Sequence, residues 1–248
     1  MMTDMETVAR EWTVLTWNIQ GRKRTDLDRV AQVIASESPD AVVLQEVRRP
    51  QAEGLAERLS MTHTWAEKHN FFRPLVAGWA EGAAILTPHQ LSPSDHARVS
   101  EASSKRSYRR RILLWATITR DDASGYRVYN AHLSPHDLSA QRLAEATRIA
   151  EIVRDGADAP PPVVAGDLND AGEPQIIAAL PGIEAVSAPP TNPAGSPTNA
   201  LDHVLVPVEA NGVSVSAPAG GDEWAELSDH LPVTVRFTID WVAGGFAG

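Results

Sequence analysis

The chain of 248 residues has 43% hydrophobic residues, a formal net charge of −10 and no cysteine. This length and apolar content fit a single domain, 1–248, with a sizeable core. The lack of cysteine excludes disulfides and thiolate metal sites, and the acidity argues against a high-affinity, non-catalytic DNA-binding protein. Because there is no apolar run of eighteen residues and no secretory leader, we expect a cytoplasmic protein without a transmembrane segment.

The first third of the chain alternates strand and helix patterns. Residues 1–10 are expected to form a loose N-terminal extension. Apolar, β-prone runs predict strands at 12–18 and 41–47, with a helix between them. Thr25 and Asp28 have the spacing of a capping box that opens this helix, and Ser38-Pro39 ends it. A second helix is predicted at 50–59.

The middle of the chain is typical of antiparallel strands separated by Pro, Gly and Ser clusters. Strands are predicted at 62–66, 83–87, 112–119 and 126–133. The longest helix is predicted from Ser134-Pro135 to about Arg154. Its apolar stripe is predicted to consist of Leu143, Ala146, Ala150 and Val153.

The last third carries strand patterns at 163–167, 201–206, 213–217 and 232–239, and a short helix is predicted at 173–180. Residues 188–199, rich in Pro, Thr and Asn, predict a mobile loop near the site. No linker divides the chain. The mixture of parallel and antiparallel features with few helices predicts an α/β (α+β) fold of two mixed β-sheets packed face to face, with helices on the outer faces.

Polar residues stand at the ends or edges of the predicted strands, where a sheet can bring them together at one rim. They are Asn18, Glu46, His132, Asp167, Asn169, Asp202, Asp229 and His230. Acids, amides and histidines without thiols suit a hard divalent metal and acid–base chemistry on phosphate esters. Glu46 is the best first metal ligand, and Asp202 can support a positive charge on His230.

Several other residues have competing interpretations. The basic run Arg109, Arg110 and Arg111 either grips substrate phosphate or is a solvated strand start. His203 is interpreted as structural, because neighbours on a strand point to opposite faces. Trp17 and Trp79 lie near the motifs and could border a substrate. The remaining histidines show no metal spacing and are expected at the surface: His63, His69, His89, His96 and His136.

The order and spacing of these motifs resemble the endonuclease/exonuclease/phosphatase superfamily over nearly the whole chain. The motifs are TWNIQ, LQEV, GAAILTP, NAHLSP, AGDLND, LDHVLV and LSDHLPV. The resemblance implies a four-layer sandwich and a Mg²⁺-dependent phosphoesterase, with Mn²⁺ as an alternative ion. It implies that Glu46 binds the metal, with Asn18 beside it and Asp229 near it.

The same resemblance implies roles for the remaining positions. Asp167 would orient or deprotonate the attacking water, and Asn169 would contact a phosphate oxygen. His230 would stabilise the pentacovalent phosphorus, supported by Asp202. His132 would contact phosphate or the leaving group. The AP-endonuclease branch usually carries Tyr at the place of His132, and this departure argues against abasic-site specificity.

The function expected from the sequence is metal-assisted, in-line hydrolysis of a phosphodiester by water, as in a nuclease or phosphodiesterase. The partner is then a phosphate-ester substrate, with nucleic acid as one choice. The alternative is a phosphomonoesterase, or a lipid phosphodiesterase of the inositol phosphate or sphingomyelin type. A catalytically silent binding module is a third interpretation, against which the intact set of polar residues argues.

Overall fold

The computed structural model describes residues 7–21, 25–70, 79–156, 160–171, 182–186, 189–242 and 245–246. These residues form two β-sheets of seven strands each. Apolar side chains from both sheets meet in one buried core, with Val14 and Val43 from one sheet and Leu114 and Val128 from the other. The predicted fold class, two mixed sheets packed face to face, is confirmed.

Both sheets are mostly antiparallel, and each contains one parallel pair. In chain order the strands are β1 (Thr7–Asn18), β2 (Ala41–Arg48), β3 (Thr62–His69), β4 (Glu81–Thr87), β5 (Gln90–Leu91), β6 (Asp95–Arg98), β7 (Ile112–Thr119), β8 (Gly125–His132), β9 (Pro162–Asp167), β10 (Ile183–Ala185), β11 (Asp202–Pro207), β12 (Asn211–Ser216), β13 (Val233–Val242) and β14 (Gly245–Phe246). The first sheet has the order β12-β13-β1-β2-β4-β3, with β14 beside β13. The second has the order β10-β11-β9-β8-β7-β5, with β6 beside β7.

Helices cover the outer faces of the sandwich. The described helices are α1 (Leu27–Glu37), α2 (Arg49–Leu59), α3 (Ser139–Asp155) and the short α4 (Asp222–Ala225). Apolar side chains of α1 and α2 pack on the first sheet, and those of α3 pack on the second, which gives four layers. No helix in the described part of the chain combines the length and the apolar character needed to cross a membrane.

Several element boundaries differ from those predicted. Strand β1 begins at Thr7, which pairs with Val242, so residues 7–10 are not a loose extension. Asp26, not Thr25, caps α1, because its carboxylate accepts hydrogen bonds from the first-turn amides. Leu143, predicted on the apolar stripe of α3, is 44% exposed, whereas Glu145 is among the buried residues of this helix. Strand β3 continues past 66 to His69, and the helix predicted at 173–180 lies outside the described residues.

The two parallel pairs bring the polar strand ends to one edge of the sandwich. Asn18 at the end of β1 stands beside Gln45 of β2, and His132 at the end of β8 stands beside Asp167 at the end of β9. Asp202 begins the antiparallel β11 opposite Asp167. The carboxyl ends of parallel strands lie at the same edge, so these residues share a rim because of the topology.

A β-bulge in β2 aims the side chain of Glu46. Pairing with β4 is regular up to Leu44 and resumes at Val47, so that two residues of β2 face one of β4. Glu46 has a φ of 52°, in the left-handed region, and its carbonyl accepts a hydrogen bond from Gly21. A bulge re-aims side chains, and one next to a functional site is a structural device rather than a defect.

The interior side of the bulge is closed by polar side chains from both sheets. Asn130 of β8 donates to the carbonyl oxygens of Leu44 and Ala84, each at 2.9 Å. The Asn130 side-chain oxygen accepts from Gln45 Nε2 at 3.0 Å. Gln45 and Asn130 are both fully buried, so these bonds connect the two sheets and satisfy carbonyls beside the bulge that would otherwise lack partners.

We therefore predict that Asn130→Leu lowers the free energy of unfolding by about 2–5 kcal/mol, because it leaves buried carbonyl and amide groups without partners. Urea denaturation measures the effect. Asn211→Leu, on the exposed strand β12, is the matched control and should change stability by less than about 0.5 kcal/mol. Equal losses for the two variants would show that the inter-sheet bonds contribute nothing of their own.

Candidate active site

The carboxylate of Asp167 is the centre of the rim. Its Oδ2 accepts a hydrogen bond from Asn18 Nδ2 at 3.0 Å. The same oxygen lies 3.5 Å from His132 Nε2 and 3.8 Å from His230 Nε2. The other oxygen, Oδ1, accepts from the backbone amide of Asn169. One buried carboxylate oxygen therefore collects three side chains that the sequence assigned to the site.

Gly166 allows the backbone to take the path that places Asp167 at this position. Its φ is 147°, and a Cβ atom there would lie 1.8 Å from the carbonyl oxygen of Ala131 in the neighbouring strand. Only glycine allows both the backbone angle and so close an approach between β8 and β9. Asn169 follows with a φ of 51° and donates from its side chain to the Leu133 carbonyl oxygen, which turns the chain away after Asp167.

His230 is fixed by hydrogen bonds on its ring and on its backbone. Its Nδ1 lies 2.8 Å from Asp202 Oδ2, and that oxygen also accepts from the Thr191 hydroxyl at 2.5 Å. The backbone carbonyl oxygen of His230 accepts from the indole nitrogen of Trp17 at 2.8 Å. Ser228 accepts from the His230 amide. The ring is therefore held with Nε2 directed at Asp167.

The charges of Asp167 and His230 depend on each other. Burial lowers the pKa of His230, but Asp202 and Asp167 outweigh it and raise that pKa to about 10. Burial raises the pKa of Asp167 to about 6, and Asp202 and Glu46 add to the rise against the effects of His230 and Asn18. At neutral pH, His230 is a cation and Asp167 is mainly a carboxylate whose pKa suits a general base.

His132 lies in the opposite electrostatic environment. Burial lowers its pKa well below the usual value, and the positive charges of Arg111, Lys68 and His230 lower it further. Its Nδ1 is buried without a hydrogen-bond partner in the described part of the chain. His132 is therefore a neutral imidazole on the basic side of Asp167, and it can exchange a hydrogen bond with a bound group.

Glu46 and Asp229 are both linked to the rim. Burial is the largest influence on the pKa values of Asp167 and Lys68, but the charge of Glu46 also raises both, so its carboxylate is near enough to act on each. Asp229 Oδ2 accepts from Gln20 Nε2 at 2.7 Å, and the Gln20 amide donates to Asn18 Oδ1 at 3.1 Å. The structure thus brings the predicted metal-binding residues to the rim together with Asp167.

Asp167, Asp202 and His230 have donor atoms within 4.8 Å of one another, a spacing that could hold a metal ion. In the metal-free protein, Nδ1 of His230 is engaged by Asp202, and although burial lowers the pKa of the ring, the nearby carboxylates raise it. An ion at this trio would have to displace the proton on Nε2. We therefore interpret this trio as a charged acid–histidine pair beside the general base.

The basic run separates into three different environments. Arg109 is exposed and contacts Tyr108. Arg110 is buried, and its guanidinium donates to the carbonyl oxygens of Glu67 and Lys68. Arg111 is only 5% exposed, and its Nε has no hydrogen-bond partner within the described ranges. Burial is the main cause of the low pKa of His132, and the positive charge of Arg111 lowers that pKa further. Of the run, Arg111 is the residue that the structure brings to the site.

Some site residues were not predicted from the sequence. Lys68 is buried and forms an ion pair with Glu81 at 2.6 Å; burial lowers its pKa. Alternation from Ala66, had strand β3 been extended, could have indicated that Lys68 points inward. Thr191 and Gln20 orient Asp202 and Asp229. Their contacts join segments distant in the chain, so no local pattern indicates them.

The remaining predictions for this region have mixed outcomes. His203 is structural as predicted, with Nε2 near the carbonyl oxygens of Asp170 and Ala200. His69 is buried near Glu81, and His89 is half-buried against Asp40, so neither is simply a surface residue. Trp17 is fully buried and cannot border a substrate, whereas Trp79 is exposed.

The loop predicted at 188–199 lies beside the site, as expected. From residue 189 onward, however, it is held by many hydrogen bonds. Thr191 and Asn192 both donate from their backbone amides to Asn199, and the amides of Ala194 and Leu231 bond to Asp229 and Thr191. The prediction of a mobile loop rested on composition, which does not reveal these contacts.

The sequence model of the Endonuclease/Exonuclease/phosphatase family matches residues 15–230, so the chain belongs to this family. No curated protein sequence matches it. Among solved structures, a family protein from Bacteroides vulgatus is similar with a TM-score of 0.75 and 19% identity, covering 92% of this chain and 98% of that one. A functionally unknown conserved protein from Enterococcus faecalis V583 has a TM-score of 0.74 and 21% identity, over 91% and 98%.

The TDP2 of D. rerio, crystallised with a single-strand DNA product, is also similar in structure. Its TM-score is 0.69 at 15% identity, covering 92% of this chain and 98% of that one. At these identities the likeness shows the fold alone. Together, the family match and the fold define the chain as an endonuclease/exonuclease/phosphatase-type phosphoesterase.

We predict that the pKa values of His230 and His132 are shifted in opposite directions in the metal-free protein. His230 should stay protonated to about pH 10, and His132 should be neutral at pH 7. NMR of ¹⁵N-labelled histidine resolves both. Because the folded pKa of His230 lies above its unfolded value, its protonation stabilises the fold below about pH 6.5, and this contribution is lost as the pH rises through about 10.

Asp202→Asn tests the cause of this shift, because it removes the charge and keeps the shape of the side chain. The pKa of His230 should fall in this variant while that of His132 stays below its usual value. A His230 resonance that titrates near pH 6.5 in the wild-type protein would contradict the proposed charge pair.

Proposed function

We propose that the protein is a metal-dependent phosphodiesterase that hydrolyses nucleic acid by in-line attack of water. The main support is the geometry at Asp167, a buried carboxylate within 3.8 Å of the His230 ring. The pair offers a base for water beside a cation for the phosphoryl oxygens. The D. rerio TDP2 crystallised with a single-strand DNA product supports a nucleic-acid substrate.

The residues at the rim fit a hard divalent cation. Burial raises the pKa of Asp167, and the negative charges of Asp202 and Glu46 raise it further. Carboxylates held close together in this way are stabilised by a cation with oxygen ligands. Glu46 would hold the ion, with Asn18 and Asp229 contributing oxygen ligands directly or through water. A bound Mg²⁺ or Mn²⁺ would neutralise a phosphate oxygen.

The side chains then have distinct tasks. Asp167 accepts a proton from the attacking water, and the Asn18 amide keeps its carboxylate oriented. His230 meets the negative charge that develops on the phosphoryl oxygens, and Asp202 stabilises the imidazolium. The neutral His132 hydrogen-bonds a phosphate oxygen or the leaving group. The side-chain amide of Asn169 donates to the Leu133 carbonyl oxygen, so its phosphate contact requires the second amide hydrogen.

Arg111 supplies the substrate's second electrostatic contact. A buried guanidinium nitrogen without a hydrogen-bonding partner is energetically costly, and the Nε of Arg111 has no such partner within the described residues. The charge of Arg111 also acts on the pKa values of His132 and Glu145, after the larger effect of burial. We assign the phosphate grip to Arg111, while Arg110 has a structural role in tying β3 to the neighbouring loop.

Other ester substrates are distinguished by a direct assay. Plasmid DNA, an abasic oligonucleotide, RNA, bis-p-nitrophenyl phosphate, inositol phosphates and sphingomyelin are each tested with Mg²⁺, Mn²⁺ and EDTA. Hydrolysis of nucleic acid is the expected result. Hydrolysis of inositol phosphates or sphingomyelin alone would support the phosphomonoesterase or lipid alternative. No turnover of any substrate would favour a silent binding module.

We predict that Glu46→Gln abolishes turnover and weakens Mn²⁺ binding, because the bulge aims this carboxylate at the rim. Isothermal calorimetry with Mn²⁺ and assays of hydrolysis measure the two effects. Glu151→Gln on the exposed face of α3 is the matched control and should behave as wild type. Unchanged activity in EDTA would contradict a metal-dependent reaction.

We predict that His230→Ala lowers kcat by roughly 10²–10⁴, the range for a positioned acid–base or oxyanion group. Asp202→Asn should lose part of this, because an amide orients the ring but cannot stabilise its charge. The double variant should be little worse than His230→Ala, since the two residues act as a unit. Multiplicative losses, measured by steady-state kinetics, would show that Asp202 acts independently.

A further inference from the structure

Two aromatic side chains near the site are exposed, and each is in contact with an arginine. Trp79 is 54% exposed and Tyr108 is 64% exposed, more than any other tryptophan, tyrosine or phenylalanine side chain that the structure describes. The Arg48 guanidinium lies over the Trp79 ring at 5.0 Å, and the Arg109 guanidinium lies over the Tyr108 ring at 5.7 Å. Each pair therefore presents an exposed aromatic face and a positive charge side by side, the two features that a nucleotide's base and phosphate can contact.

The first pair adjoins the proposed metal ligand. Arg48 follows Glu46 by two residues at the end of β2, and it pairs in the sheet with Glu81 at the start of β4. Trp79 precedes Glu81 by two residues. The Arg48–Trp79 pair therefore stands on the same rim as Glu46, just outside the buried Lys68–Glu81 ion pair.

The second pair lies on the loop of residues 99–111, which enters β7 at the phosphate-gripping Arg111. This loop is tied to the rim end of β3, because the Asn70 amide donates to the Lys105 carbonyl oxygen and Arg110 donates to the Lys68 carbonyl oxygen. The Tyr108–Arg109 pair is thus attached to the same edge as Lys68.

The charge around these pairs is opposite to that of the chain. The chain has a net charge of −10, yet this flank carries Arg48, Lys105, Arg106 and Arg109, together with the buried Arg111. Fewer acids offset them: Glu67 pairs with Lys105, Glu101 lies on the same loop, and Glu81 pairs with the buried Lys68. The flank beyond Asp229 instead carries acids on and after α4, at Asp222, Glu223 and Glu226. An extended polyanion would therefore leave the site over the basic flank rather than over α4.

We propose that this flank binds the bases of a single-stranded nucleic acid, with Trp79 and Tyr108 as stacking platforms and the neighbouring arginines and Lys105 as phosphate contacts. Stacking on aromatic rings combined with a basic track is how proteins bind unpaired strands without reading sequence. The flat faces of bases are accessible only when unpaired, so single strands bind better than duplexes. The proposal rests on the proposed function and deepens it by naming the strand class.

A membrane surface is less compatible with these observations. The exposed large aliphatic residues of the described chain lie elsewhere: Val8 on β1, Leu143 on α3, Val208 directly after β11 and Val213 on β12. A surface that enters lipid would combine its aromatics with such aliphatic side chains. Aromatic rings paired only with arginines match nucleic-acid bases and phosphates better.

Binding is measured by fluorescence anisotropy with Mg²⁺ in a His230→Ala background, which slows cleavage, and gel electrophoresis checks that the probe is intact at the end of each titration. The probes are a labelled oligothymidylate and an abasic strand of the same length, which has the phosphates but no bases. Trp79→Ala and Tyr108→Ala should each weaken oligothymidylate binding by about 5- to 100-fold, the effect of one lost base stack. They should weaken abasic binding by no more than about twofold. Leu143→Ala, an exposed apolar residue on α3, is the control and should change neither.

Equal losses on both strands, or no loss on either, would overturn the stacking proposal. So would binding to phosphatidylcholine–phosphatidylserine vesicles that depends on Trp79 and Tyr108 while oligothymidylate binding does not. Because binding is read without turnover, a protein that hydrolyses no ester but shows the predicted strand discrimination would refute the proposed reaction and support this platform. Hydrolysis of nucleic acid, without a larger loss of binding for oligothymidylate than for the abasic strand, would support the proposed reaction and refute the stacking surface.

Discussion

The bulge at Gln45 and Glu46 is the constraint on which the rest of the site depends. Regular pairing along β2 would give neighbouring side chains alternate faces without the left-handed turn that Glu46 makes. Gln45 continues the inward series of Ala41 and Val43 and bonds Asn130 in the inter-sheet core. The extra residue returns Val47 to the outer face and turns the backbone at Glu46, whose charge acts on Asp167 and Lys68. The irregularity thus sets the position of the proposed metal ligand, directly after the residue that connects the two sheets.

Electrostatics divides the site into two halves around Asp167. On one side, Asp202 and Thr191 hold His230 as a cation. On the other side, burial and nearby positive charges keep His132 neutral. The two histidines thus have different protonation states because their surroundings differ. Such differences are how a fold assigns acid, base and charge-stabilising roles. A phosphodiester, which carries negative charge and releases an alkoxide, needs this division of roles.

The position of several rim residues could be predicted from the sequence because these residues stand at strand ends. There, the alternation of side chains along a strand and the parallel pairing of strands fix where each side chain lies. Asn18, His132 and Asp167 were found for this reason. Residues whose role depends on tertiary contacts were not found. Lys68 lies past the predicted end of β3, and Thr191 reaches Asp202 from a loop whose composition indicated mobility. Likewise, the three consecutive arginines look like one basic patch in the sequence. In the structure, Arg109 is exposed to solvent, Arg110 donates to backbone carbonyls and Arg111 is buried near His132.

Anomalous diffraction from crystals soaked in Mn²⁺ tests the central claim, that the bulge presents Glu46 to a metal beside Asp167. An anomalous peak is expected within about 2–2.5 Å of a Glu46 carboxylate oxygen, with the hydrogen bond between His230 and Asp202 intact. An ion bound instead by Asp202 and His230 Nε2, with Glu46 uninvolved, would contradict it. In that case His230 would be a metal ligand and not the cation that stabilises the phosphoryl group.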